Sequence, residues 1–203
     1  MTIEGNQNER VLALAKRKGM LTSADLHRED LPREYLSRLA KSGQLTQLAP
    51  GVYMDPEADL GEHLELAVVA ARVPRAVFFG LTALVFHELT SQVAHSVEFA
   101  IERDTWTPKL DWPVVDIVHL SGAAFTQGVE EHVLEHGTVI HVYSVAKTVA
   151  DLFKFRSRFG LDVALEALRE GWRHRYFTLH ELDAYAKICR VQGVMRPYME
   201  MLS

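Results

Sequence analysis

Apolar positions recur at helical spacing in three short stretches at the front of the chain, then give way to two strand-like runs. In Arg10–Lys18 the apolar residues are Val11, Leu12, Leu14 and Ala15, and Gly19 stands where a helix would stop. A second, two-turn helix is predicted from Thr22 to Arg28, with Thr22 as its cap and Asp25 at capping-box spacing. Pro32 opens a third, in a first turn that has no use for the missing N–H. Tyr35, Leu36, Leu39 and Ala40 form its apolar stripe, Arg33, Glu34, Ser37, Arg38 and Lys41 its other side, and Gly43 its end. Gln44–Leu48 and Gly51–Met54 then read as strands about the turn Ala49-Pro50-Gly51.

Three helices and a hairpin in so short a stretch predict a winged helix-turn-helix, whose third helix enters a DNA major groove. The acidic, turn-prone run Asp55–Asp59 breaks the pattern. It suggests two domains, residues 1–56 and 60–203. Beyond it helices are expected over Leu60–Val73, Leu81–Leu89, Val145–Arg156 and Asp162–Trp172, with a last one opening at Thr178. Strands are expected over Ala76–Phe79, Ser96–Glu102 and Val114–His119, and a hairpin from Glu130–Glu135 and Thr138–Tyr143, split by Gly137. The fold class is therefore α+β: an N-terminal winged helix-turn-helix followed by a mixed α/β C-terminal domain ending in helices.

Composition narrows the function. The 203 residues are 48% hydrophobic and 24% charged, as in an ordinary globular protein. One cysteine, Cys189, allows no intrachain disulfide and no four-cysteine zinc site, in keeping with a cytoplasmic protein. The longest apolar runs fall far short of the roughly 20 residues a membrane helix needs, and the polar Met1–Arg10 lacks the apolar core of a signal peptide. The net charge of −5 argues against nonspecific coating of nucleic acid, but it is unevenly spread. Residues 1–56 carry eight Lys/Arg against seven Asp/Glu, and the remainder 14 against 20. The basic bias lies at the front.

Candidate DNA contacts follow: Arg33, Ser37, Arg38 and Lys41 on the third helix, supported by Lys16, Arg17 and Lys18 on the first. Arginine can grip guanine or phosphate through two N–H groups, and lysine neutralises phosphate. A plain solvated helix face would look the same, and Glu34 in its middle does not favour phosphate. No catalytic residue, metal site or cofactor is expected. His87-Glu88 has no second histidine at the zincin spacing, and His132 and His136 would lie about 13 Å apart along a strand. No Gly-x-Ser-x-Gly, phosphate-binding loop, Gly-x-Gly-x-x-Gly or acidic residue two before a lysine occurs. Cys189 falls on an apolar stripe and reads as packing. In Ser144–Arg158, Val145, Val149, Leu152 and Phe153 would face a core. Lys147, Asp151, Lys154 and Arg158 would then line the opposite side, as a solvated ion-paired face or a docking surface.

Gly19-Met20-Leu21-Thr22, Leu39-Ala40-Lys41-Ser42-Gly43-Gln44-Leu45 and Pro50-Gly51-Val52-Tyr53 resemble the N-terminal domain of AbiEi-type antitoxins, from bacterial AbiE (type IV) toxin–antitoxin systems. Gly80–Leu84, Phe86–Thr90 and Thr148–Leu152 are similar to that family's C-terminal domain. The resemblance implies a front domain that binds operator DNA of its own promoter and represses it. It also implies a rear domain that counteracts a nucleotidyltransferase toxin, with no stable complex required. On this view Lys147, Asp151, Lys154 and Arg158 become the antitoxin surface. One departure stands out: Gln44–Met54 holds no Lys or Arg, where a basic residue before the Pro-Gly turn is expected for backbone contact. Lys41 and the first-helix cluster would have to supply that charge. The competing reading is a one-component regulator whose rear domain senses a small ligand in a pocket lined by Trp106, Trp112 and Phe125.

Overall fold

The computed structural model describes residues 3–202, apart from the side chains of residues 3–5 and His136. The chain divides into two compact units, one comprising the front of the chain through Pro74 with Lys109–Pro113 and Val133–Ile140, the other the rest.

In the front unit, α1 (Ile3–Lys18), α2 (Ser23–Arg28) and α3 (Glu34–Lys41) surround a core of Val11, Leu14, Leu26, Leu36, Leu39 and Leu45. The buried side of α3 is Tyr35, Leu36 and Leu39, as its apolar spacing predicts. Gly43 ends that helix at φ +76, and the Gln44 N–H reaches back to the Leu39 carbonyl at 2.9 Å, which satisfies an acceptor left over in the last turn. The predicted hairpin forms from β2 (Thr46–Ala49) and β3 (Val52–Met54), with a bulge between Gln47 and Ala49. Gly51, in the turn, sits at φ +80, where a side chain would strain the backbone.

The sheet of this unit has a third strand that the hydrophobic pattern does not announce. β1 (Met20–Thr22) pairs antiparallel with β3, so the sheet runs β1-β3-β2. At three residues it is too short to alternate visibly. It leads into α2 through the anticipated cap: the Thr22 N–H and hydroxyl both donate to Asp25 Oδ2, each at 2.8 Å.

The domain boundary expected at residues 55–59 is corrected by the packing. The helix after it, α4 (Leu64–Arg72), belongs to the front unit, where Ala67 and Val68 bury with Met20, Ala49 and Val52. The division falls after Pro74. The helix also starts four residues later than its pattern suggests, because Asp55 and Asp59 accept the backbone N–H groups of Glu57 and Gly61 at 3.0 and 2.9 Å and hold the chain in turns.

The second unit is built on a five-stranded sheet in the order β6-β5-β4-β8-β7. Its strands are β4 (Val77–Phe78), β5 (Val97–Glu102), β6 (Val115–Leu120), β7 (Val129–Val133) and β8 (Val139–Tyr143). β4 runs antiparallel to β5 and parallel to β8, and β5 runs parallel to β6. Helices α5 (Gly80–Phe86), α7 (Val145–Lys154), α9 (Leu161–Arg173), α10 (Leu179–Ile188) and α11 (Gln192–Glu200) bury Leu84, Val149, Phe153, Ala164, Leu168, Leu182 and Met195 together. The short α6 (Ala123–Thr126) and α8 (Arg156–Phe159) are not expected from the sequence, nor is α11, whose pattern is broken by Pro197. The mixed α+β class holds.

Candidate nucleic-acid interface

Helix α3 presents Arg33 (at its N-cap), Glu34, Ser37, Arg38 and Lys41 to solvent while its other side is buried. The four candidate DNA-contacting residues of this helix therefore share one exposed face. Arg38 is held in place: its guanidinium lies 4.2 Å from the Tyr35 ring centroid and donates to Asn8 Oδ1 at 2.9 Å. Stacking of this kind fixes the planar fork without consuming all its donors. Arg33 and Lys41 form no ion pair among the described residues, so their charges are available to an incoming anion.

The first-helix cluster is less uniform. Lys16 is exposed and forms no ion pair among the described residues. Arg17 pairs with Glu29 at 2.9 Å, and Arg10 donates to the Glu29 carbonyl at 3.1 Å. Lys18 pairs with Asp25, which Arg28 also approaches at 3.4 Å. Burial pushes the Asp25 carboxyl up, but bonds from Lys18 and Thr22 outweigh it and hold the group below the usual carboxylate range. Arg17 and Lys18 thus spend charge inside the unit, and Lys18 serves α2 as much as any ligand.

Sequence reasoning missed Arg72. Although the hairpin carries no Lys or Arg of its own, the Arg72 guanidinium at the end of α4 donates to the Pro50 carbonyl in the hairpin turn. Only the tertiary packing of α4 puts it there, so no local pattern could have shown it.

In the second unit the expected charged face of Lys147, Asp151, Lys154 and Arg158 is corrected. Lys147 and Asp151 are both 0% exposed. Lys147 Nζ donates to Asp151 Oδ2 at 2.5 Å and lies 3.9 Å from the Tyr143 ring centroid. The other carboxylate oxygen accepts from Cys189 Sγ at 3.2 Å, and burial, followed by the Asp151 charge, pushes that thiol up to about 12. Arg158 is not on the same helix, since α7 stops at Lys154 and the chain turns at Phe155 into α8. It bonds Glu98 at 3.2 Å and Asp116 at 2.5 Å. Glu98 in turn accepts the Leu81 N–H at the start of α5 at 2.6 Å. Lys154 is half-exposed, lies 5.7 Å from the Phe155 ring centroid and forms no ion pair among the described residues.

The residues expected to line a ligand pocket are divided between the two units. Trp106 is 87% exposed, Phe125 is buried with Val77 and Tyr143 in the second unit, and Trp112 packs against the Met20, Ala49, Val52, Ala67 and Val68 cluster in the first. Among the described residues no three His, Cys, Asp or Glu side chains are grouped to hold a metal ion. His132 lies on β7 and His136 in a 3₁₀ turn, Glu135–Gly137, rather than on one strand; the His136 side chain lies outside the described residues. No helix among the described residues is long and apolar enough to cross a membrane.

No curated protein matches the chain. Residues 9–54, which carry Lys16, Arg33, Ser37, Arg38 and Lys41, match the family model described as transcriptional regulator, AbiEi antitoxin.

Proposed function

We propose that the chain is a DNA-binding transcriptional autoregulator and antitoxin of a bacterial type IV toxin–antitoxin system, counteracting a nucleotidyltransferase toxin. On this reading the front unit is a winged helix-turn-helix in which α3 is the recognition helix and β2–β3 the wing. The observation that carries it is the exposed Arg33–Ser37–Arg38–Lys41 face, laid over a buried stripe within the very segment that matches the antitoxin regulator family. Arg38 or Arg33 would reach base edges or phosphate through its fork, and Lys41 would neutralise a phosphate near the end of the helix. Lys16 is the first-helix cation best suited to join them, since Arg17 and Lys18 are already paired. No catalytic step is assigned to the chain, and its residues act by binding.

The test has two arms. In the first, the protein is titrated onto its own upstream DNA and onto a scrambled duplex, with preference expected for the former. In the second, cells carrying a nucleotidyltransferase toxin gene of an AbiE-type system are induced with and without this chain. Growth rescue by the chain supports the antitoxin role, and unrelieved toxicity rejects it whether or not the two proteins co-purify.

A further inference from the structure

The hairpin β2–β3 has no cation of its own, yet a guanidinium stands at its turn. Ala67 and Val68 on α4 bury with Ala49 and Val52 on the hairpin, which fixes the helix beside the two strands. Arg72 follows Val68 by four residues and so lies on the same side of α4, one turn further along. Its Nη1 donates to the Pro50 carbonyl, and a Cβ added at Gly51 would lie 3.8 Å from that nitrogen. Arg72 is exposed, and its guanidinium forms no ion pair among the described residues. One of five N–H donors thus orients the group, and the others remain for a ligand.

We propose that Arg72 is a phosphate-contacting residue of the DNA interface, supplying from α4 the positive charge that the hairpin turn lacks. This rests on the winged-helix reading of the front unit. An arginine held through one donor is preorganised for the sugar–phosphate backbone, where bidentate contact to phosphate oxygens needs a planar fork in a fixed place. It would contribute affinity and orientation without base preference. The arrangement also makes α4, which follows the family-matched segment, part of the DNA-binding machinery.

The experiment compares the full-length wild type with R72Q, R72K and K41A by fluorescence anisotropy. The probes are a labelled duplex of its own upstream sequence and a scrambled duplex of equal length, each across a salt series. R72Q keeps a donor for the Pro50 carbonyl and loses the charge. It should weaken both duplexes alike, about three- to tenfold, and make the slope of log affinity against log salt shallower by about 0.9. R72K should keep the wild-type slope. Melting curves of each variant accompany the titrations, because a purely structural role would move stability and leave the slope alone. An unchanged slope in R72Q, or an equally shallow slope in R72K, overturns the assignment. If the wild type binds and K41A flattens the slope while R72Q does not, only Arg72 is misplaced. If the wild type binds neither duplex, the reading of the whole front unit fails.

Discussion

Replacing Lys147 by methionine should destabilise the protein severely, although the position looks like one solvated lysine on an amphipathic helix. The substitution shortens the side chain by one atom, keeps it unbranched and removes the charge. It leaves the Asp151 carboxyl fully buried without its cation, with Cys189 Sγ–H as its remaining hydrogen-bond donor of the two described. Removing one partner of a buried pair typically costs about 3–5 kcal/mol, because the survivor is desolvated without compensation. The cation–π attraction to Tyr143 disappears within the same figure, since both interactions act on one ammonium. For a chain of this length each kcal/mol moves the melting temperature by about 2–4 °C, so K147M should melt about 6–20 °C lower. Asp151→Leu should cost a similar amount by stranding the ammonium against the Tyr143 ring. The double variant K147M/D151L replaces the pair with apolar groups and should recover most of the stability, giving a coupling of several kcal/mol in a double-mutant cycle. Urea unfolding followed by circular dichroism, with thermal melts beside it, measures all three. Single substitutions costing less than about 1 kcal/mol, the range of an exposed site, would refute the buried pair. So would destabilisations that simply add.

Cys189 should resist iodoacetamide at pH 8 in the folded protein and react at once in urea, because burial pushes the thiol up to about 12; rapid native labelling, followed by mass spectrometry, would contradict this. Asp25, held below its ordinary value, contributes stability that is present above the unfolded carboxyl pKa of about 3.9 and is lost as pH falls through the folded value. The gap in urea midpoint between wild type and D25N should therefore be constant near neutrality and begin to close below about pH 4; no gap at neutral pH, or one that does not change with pH, would show that the Asp25 charge contributes nothing. A fragment ending at residue 56 lacks Ala67 and Val68, which cover Met20, Ala49 and Val52, so it should melt lower and bind more hydrophobic dye than a fragment ending at residue 74. Equal melting of the two would restore the boundary at residues 55–59.

Where neighbours in sequence are neighbours in space, the pattern is readable. The α3 stripe of Tyr35, Leu36 and Leu39, the Gly43 stop, the Thr22–Asp25 cap and the Pro50–Gly51 turn all depend on interactions within about five residues. The failures share a different cause. β1 exists because β3, more than thirty positions on, completes it, and α4 joins the front unit because it fits a hairpin behind it in the chain. The i,i+4 pairing of Lys147 and Asp151 is visible in the spacing. Its burial is not, because what seals it is Cys189 at the distant end of α10 together with the Tyr143 ring. Charged residues on a helix are usually solvated, so composition points the wrong way there. The candidate DNA-contacting residues are legible as types on one face. Which of them keep their charge available, and that Arg72 stands at the hairpin turn, depends on tertiary pairing.

DNA binding by the exposed face of α3 can be put to a single measurement. It is the affinity of the full-length protein for its own upstream duplex across 50–200 mM salt, beside that of the double variant R38A/K41A. The wild type should prefer this duplex over a scrambled one. The double variant should bind more weakly, with a slope shallower by about 0.9 for each phosphate no longer neutralised, and should melt only a few degrees lower through loss of the Arg38 contacts to Tyr35 and Asn8. Equal affinity and equal slope in the two proteins would remove α3 from the interface.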